Sequence, residues 1–125
     1  MKPPSAVAPR APVALALLAA FSALACGSPR ADRVAHGQKL YQQTCAFCHG
    51  GDAKGMRGLG KGLLGNEFIA ARSERELVDF LKIGRRPDDP GNDTGVDMPP
   101  RGGNQGLRDE DLAAIAAYLK TLPSH

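Results

Sequence analysis

Five consecutive residues carry the most specific chemistry in the chain: Cys45-Ala46-Phe47-Cys48-His49. Two thiols three positions apart can close a disulfide, hold a metal, exchange electrons as a dithiol, or add to a pair of carbon–carbon double bonds. A disulfide between Cys45 and Cys48 would be an unusually tight loop. A redox dithiol expects a thioredoxin-like βαβ surround, and the sequence shows no strand pattern of any length. A zinc site usually wants a second Cys or His pair at ligand spacing, which His36 and His125 do not offer. The histidine directly after the second cysteine fits the last option. C-x-x-C-H is a haem-attachment pattern. The thiols add to the two vinyl groups on one side of a porphyrin, and His49 can then swing its imidazole under the iron. The expected cofactor is one covalent haem c with its iron.

A second axial ligand has to come from chain that has passed around the haem edge. Met1 belongs to an export-like segment described below. Met56 follows His49 by seven residues, in a glycine-rich loop. Met98 lies in Met98-Pro99-Pro100, separated from His49 by residues 50–97, which include a helix. The two prolines stiffen the backbone after it. Met98 is the expected ligand and Met56 the alternative. Iron bound by His49 and Met98 has no open position for a substrate, and Met ligation raises the reduction potential. That combination suits outer-sphere electron transfer, so no catalytic residue is assigned. The alternative is a haem enzyme or gas-binding sensor in which Met98 dissociates. Arg72, Arg85, Arg86 and Arg101 lie near the expected haem edge; each is either a partner for a haem propionate or a solvated surface charge.

Three helices are expected to hold these residues. From Asp32 to about Cys45, Val34, Gly37, Leu40, Tyr41 and Thr44 fall on one face, with Asp32 as N-cap. Gly37 on that face weakens the helix, which suggests close approach by another backbone. A second helix starts at Ser73 with Glu76 three residues on, a capping box. It carries Leu77, Phe80 and Leu81 on its apolar face and stops at Gly84, before Pro87. A last helix runs from about Asp109 to Leu122, with Leu112, Ile115, Ala116, Leu119 and Leu122 as a stripe. Its acidic first turn suits the positive end of the helix dipole. The first and last helices are expected to cross, with Gly37 at the contact and Tyr118 or Leu119 over it. Between the helices lie residues 50–65, with seven glycines, and residues 85–106, with four prolines and five glycines. The first reads as an ordered loop; a connection as long as the second is usually functional or disordered. The fold class is all-α.

The length of 125 residues suits one domain. Lys2 and Arg10 precede an apolar run, residues 11–25, that ends Ala23-Leu24-Ala25, the anatomy of a secretory signal. Cys26 follows directly. It is either the lipidated first residue of an exported lipoprotein or a free thiol after ordinary cleavage. Residues 26–31 read as a linker. Without Lys2 and Arg10, fourteen Lys and Arg face thirteen Asp and Glu. The remaining charge is mixed and near neutral, with no basic block, which leaves nucleic-acid binding without support. The expected location is the periplasm, free or anchored to the membrane through Cys26.

The chain resembles bacterial exported class I monohaem c-type cytochromes. Gly37, Tyr41, Cys45, Cys48, His49 and Gly50 match that family's first helix and haem motif. Gly60, Leu63 and Gly65 resemble its G-P-x-L-x-G segment. Met98-Pro99 resembles its distal ligand loop, and Tyr118-Leu119 its C-terminal helix. The match covers residues 32–122, so residues 32–125 are expected to form the cytochrome c domain. The resemblance implies about three main helices with long loops wrapped around one haem. It also implies electron transfer with redox protein partners, as a small carrier or as a subunit of a respiratory or oxidoreductase complex. Two residues depart from the pattern. Lys61 stands where the family often has a proline whose carbonyl accepts a hydrogen bond from the proximal histidine. Arg108 stands where a capping Ser or Thr is common, and Asp109 is expected to take over that cap.

Overall fold

The computed structural model describes residues 1–8 and 27–124. The apolar run of residues 11–25 and Cys26 lie outside the described residues, as does His125. The described residues form five α-helices and one 3-10 turn, with two isolated β-bridges in place of any sheet. Helix α1 spans Pro29–Thr44 and runs into α2, a single turn over Ala46–His49. After the glycine-rich loop come another single turn, α3 (Glu67–Ala70), and then α4 (Glu74–Ile83). The 3-10 turn Pro100–Gly103 leads into α5 (Asp109–Leu119).

Helix α1 begins three residues before Asp32, inside the segment read as a linker. Ser28 is its N-cap and accepts a hydrogen bond from the Ala31 N–H at 3.1 Å. Pro29 takes the first helical position, where a missing N–H costs nothing. Helix α4 has the start the sequence implies: the Glu76 N–H donates to the Ser73 hydroxyl at 3.2 Å, and the Ser73 N–H donates to Glu76 Oε2 at 2.8 Å. At α5 the cap differs from expectation. Arg108 is the N-cap residue, and its backbone N–H donates to Asp111 Oδ2 at 2.9 Å. Asp111 reaches back as Glu76 does, whereas Asp109 accepts from Lys82 Nζ and Arg101 Nη2, each at 2.8 Å.

Helix α5 ends at Leu119 rather than Leu122. Lys120 then donates to the carbonyls of Ile69, Ala70 and Arg72 at 3.0, 3.1 and 2.8 Å. A cation there suits the carbonyl-rich end of α3. Helices α1 and α5 cross as expected, with a shift of one turn. A Cβ at Gly37 would collide with the Ala114 carbonyl and sit 3.0 Å from the Ile115 nitrogen. Tyr118 lies further along the crossing, against Tyr41, with ring centroids 5.3 Å apart. The core draws Leu77 and Leu81 from α4, and Leu112, Ile115 and Leu119 from α5. Tyr41, Ile69 and Leu107 join them.

Candidate functional site

Cys45 closes α1, and Cys48 and His49 lie on α2. Both thiols are free and half-buried. Burial, and then the neighbouring Cys48, pushes the Cys45 thiol up to about 11. A redox dithiol needs the opposite shift, because the thiolate is the reactive form. Among the described residues no three His, Cys, Asp or Glu side chains come together as a metal site. The dithiol and zinc options therefore lack the surroundings they require.

The His49 ring is oriented from behind. Its Nδ1 donates to the Lys61 carbonyl oxygen at 2.8 Å. A carbonyl can only accept, so Nδ1 carries a proton, and in the neutral imidazole the lone pair is then on Nε2. The departure at Lys61 thus leaves this hydrogen bond in place. The Lys61 side chain reaches the other long loop, with Nζ 2.6 Å from Asp93 Oδ2. The loop after His49 is ordered by polar contacts. Tyr41, buried in the core, donates its hydroxyl proton to the Gly50 carbonyl at 2.7 Å. Burial raises that hydroxyl well above its ordinary range, so it stays a donor. The Gly55 N–H donates to the His49 carbonyl at 2.7 Å.

Met98 is held by its backbone. Its N–H donates to the Arg85 carbonyl and its carbonyl accepts from the Arg85 N–H, both at 2.8 Å. The preceding residue, Gly84, has φ +75°, and a Cβ there would collide with the Met98 carbonyl oxygen. Sequence reasoning took Gly84 only as the end of a helix; it is also the seat of the Met98 segment. Asn92 was missed altogether. Its amide donates to the Arg86 and Val96 carbonyls at 2.9 and 2.7 Å, and its oxygen accepts from the Gly95 N–H at 2.9 Å. The signal was an Asn among turn formers, in Pro90-Gly91-Asn92-Asp93-Thr94-Gly95.

Cys45, Cys48, His49 and Met98 line one cavity whose walls are mostly apolar, among them Leu63, Phe68, Leu77, Leu81 and Ile115. Met56 does not line it; its side chain is 44% exposed. Two of the four candidate arginines, Arg85 and Arg101, line the cavity, and Arg72 and Arg86 do not. A cavity with an apolar lining, two thiols, a histidine with a free Nε2 and a thioether fits a covalently attached haem.

Residues 32–119 match the family described as cytochrome C oxidase, cbb3-type, subunit III. The thiosulfate dehydrogenase electron acceptor of Stutzerimonas stutzeri (strain A1501) is 34% identical over 100 residues, 74% of this chain and 41% of that protein. The cbb3-type cytochrome c oxidase subunit CcoP of Rubrivivax gelatinosus is 30% identical over 89 residues, 71% of this chain and 26% of that protein. Cytochrome c-551 of Bacillus subtilis (strain 168) is 32% identical over 91 residues, 73% of this chain and 64% of that protein. The chain spans less than two thirds of the length of each of these relatives. No solved structure gives a significant match. The chain belongs to the cytochrome c oxidase, cbb3-type, subunit III family, and it is an all-α monohaem c-type cytochrome whose cofactor is haem c with its iron.

Proposed function

We propose that this protein transfers electrons through one haem c tethered to Cys45 and Cys48, with His49 and Met98 as the axial ligands of the iron. The observation that carries the reading is the common cavity of those four residues, with the His49 ring held by the Lys61 carbonyl and the Met98 backbone held by Arg85. Bound there, haem supplies a one-electron couple at its iron. The chain's own residues do the rest. The Lys61 carbonyl holds the His49 ring through Nδ1, which leaves Nε2 as the nitrogen that would bind the metal. Arg85 clamps the Met98 backbone and limits its departure. The apolar walls keep water out, which limits reorganisation when the charge changes. Six-coordination leaves no position for a substrate, and a sulfur ligand favours a high potential. The protein acts as a small carrier or as the electron-transfer subunit of an oxidoreductase, not as an enzyme itself.

The relatives' names set the partner class: one serves thiosulfate dehydrogenase as electron acceptor and another is an oxidase subunit. Redox proteins are the corresponding partners here. Residues 1–25 are read as an export signal, and residues 32–125 as the cytochrome domain, which would place the protein in the periplasm. Cys26 is read as the lipidated residue that anchors it to the membrane surface. The intact mass of protein from the native membrane fraction tests the anchor, and unacylated Cys26 in the soluble fraction would end that part of the reading.

The ligand assignment is tested by the weak sulfur-to-iron band of the oxidised protein. The band should vanish in Met98→Ala and persist in Met56→Ala. Carbon monoxide should bind reduced Met98→Ala and leave the native protein unchanged. Loss of the band in Met56→Ala alone sinks the assignment. Rapid binding of carbon monoxide by the native protein favours the sensor or enzyme alternative.

A further inference from the structure

We infer that Arg85 is the subsite for one of the two propionate carboxylates of the haem, an inference that rests on the cavity holding that cofactor. Arg85 lines the cavity and keeps one buried N–H without a hydrogen bond among the described residues. Lys61, which also lines the cavity, is taken by Asp93 at 2.6 Å. Arg101 spends Nη1 on the Leu107 carbonyl at 2.7 Å and Nη2 on Asp109 at 2.8 Å. Arg72 sits over the Phe68 ring, its guanidinium carbon 3.4 Å from the centroid, and donates to the Phe68 carbonyl at 3.0 Å. Arg86 is 82% exposed on its side chain and pairs with Asp88.

Arg85 is different. Its side chain is only 15% exposed. The guanidinium carbon lies 4.6 Å from the Phe68 centroid and 4.9 Å from that of Phe80. Nη1 donates to the Gly91 carbonyl at 3.0 Å. Nε is buried and has no hydrogen-bond partner among the described residues. Asp89 Oδ1 stands 3.6 Å from Nε, attractive as a charge but too far for a hydrogen bond. That oxygen already accepts from the Gly91 N–H at 2.7 Å, which holds it in place.

A buried N–H on a cation costs free energy while it is unpaired. Two aromatic rings beside the guanidinium leave its Nε edge as the place for an acceptor. A planar carboxylate suits that edge, because guanidinium and carboxylate pair through charge-assisted hydrogen bonds. The cavity Arg85 lines is the one that would hold the cofactor, and the cofactor carries two such carboxylates. Arg85 also pairs by its backbone with Met98. One residue therefore couples a carboxylate of the haem to the segment that carries the proposed sulfur ligand.

The test uses the holoprotein, with infrared carboxylate bands and reduction potential followed against pH. A carboxylate beside a guanidinium stays ionised to lower pH, by about 1–3 units. One haem carboxylate of the native protein should therefore titrate about one unit or more below its value in Arg85→Gln. Arg85→Lys should fall between them, because it keeps the charge without the fork. Arg101→Gln should match the native profile. Equal titration in native protein and Arg85→Gln overturns the assignment, as does a shift produced by Arg101→Gln alone. Should Arg85→Gln fail to mature, the native protein labelled with nitrogen-15 arginine decides. A slowly exchanging Arg85 Nε–H whose resonance follows the carboxylate titration supports the subsite, and one exchanging at the solvent rate overturns it. The haem stays tethered by its thioethers, so the carboxylate reads out whether or not Met98 binds iron. The sulfur-to-iron band in the same samples tests Met98 separately.

Discussion

Gly84 meets two demands at one position. Its N–H closes the last turn of α4 on the Phe80 carbonyl at 2.8 Å, and its φ of +75° turns the chain out of the helix. The Met98 carbonyl occupies the space a Cβ would need. Gly58 has nearly the same φ, +76°, with nothing within 4 Å of an added Cβ. The pair separates backbone strain from contact. Gly58→Ala should cost only the left-handed penalty, about 1–2 kcal/mol. Gly84→Ala should cost clearly more and should weaken the sulfur-to-iron band, because moving the Met98 carbonyl disturbs its pair with Arg85. Thermal melts and oxidised spectra of the two variants decide it. Equal melts with an intact band would show that the contact carries nothing. Residues of this kind were half legible. Cys45, Cys48 and His49 announce themselves, because covalent attachment fixes their spacing along the chain. Gly84 and Arg85 act through Met98, which lies beyond their local sequence and which no local pattern exposes, whereas Asn92 bonds within its own turn and its local signal went unread.

Helix α4 was readable from its ends and face together: the Ser73–Glu76 box, Leu77 and Leu81 inside, Gly84 at the stop. Helix α1 was readable in its face but not in its start, because residues 26–31 were read as a linker and Asp32 as the N-cap, whereas Ser28 and Pro29 begin the helix. The α1–α5 crossing was legible because glycine on an apolar face has few other uses. Its exact contact was not, because Ala114 is as small as the other alanines of α5. Gly37→Val tests it. Overpacking usually costs about 1–3 kcal/mol, and the obstacle here is backbone, which cannot swing aside. The loss should reach the upper end of that range, and an unchanged thermal melt refutes the crossing. The helix starts also make a prediction about acid. Ser73 holds Glu76 below the usual carboxylate range by its backbone N–H and hydroxyl. Asp111 is held down by the Arg108 N–H and then His36, and Asp109 by Lys82 and then Arg101. Groups with depressed folded values stabilise above the ordinary carboxylate value, about pH 4, and lose that contribution as pH falls through the folded values. The melting temperature should hold down to about pH 4 and fall below it. Glu76→Gln and Asp111→Asn should flatten that acid limb, and an acid limb unchanged in both variants removes these carboxylates from the account.

Taken whole, the molecule has a small core beside a large apolar cavity that would hold its cofactor. The fully buried apolar residues are few, and several of them are alanines. The larger side chains Leu63, Phe68, Phe80 and Met98 are only partly covered by protein, and all four line the cavity. A domain of this size buries a modest fraction of its surface and sits near the limit of independent stability. Its largest apolar contact is therefore the haem, and the loops that close over that cavity have few apolar partners of their own. Glycine-rich residues 50–65 and residues 85–98 are pinned chiefly by polar contacts: the buried Tyr41 hydroxyl on Gly50 and, nearer the surface, Asn92 and the Lys61–Asp93 pair. An ion pair that exposed contributes under about 1 kcal/mol. Without haem these contacts must offset the conformational entropy of both long loops, about 1–2 kcal/mol for each residue fixed, and they are too few to do so. The Cys45→Ala, Cys48→Ala double variant, which cannot attach the cofactor, should thus have much less helix by circular dichroism than the holoprotein and no cooperative thermal transition. A double variant with native helix content and a sharp melt would show that the protein shell folds alone and that haem is added to a finished core.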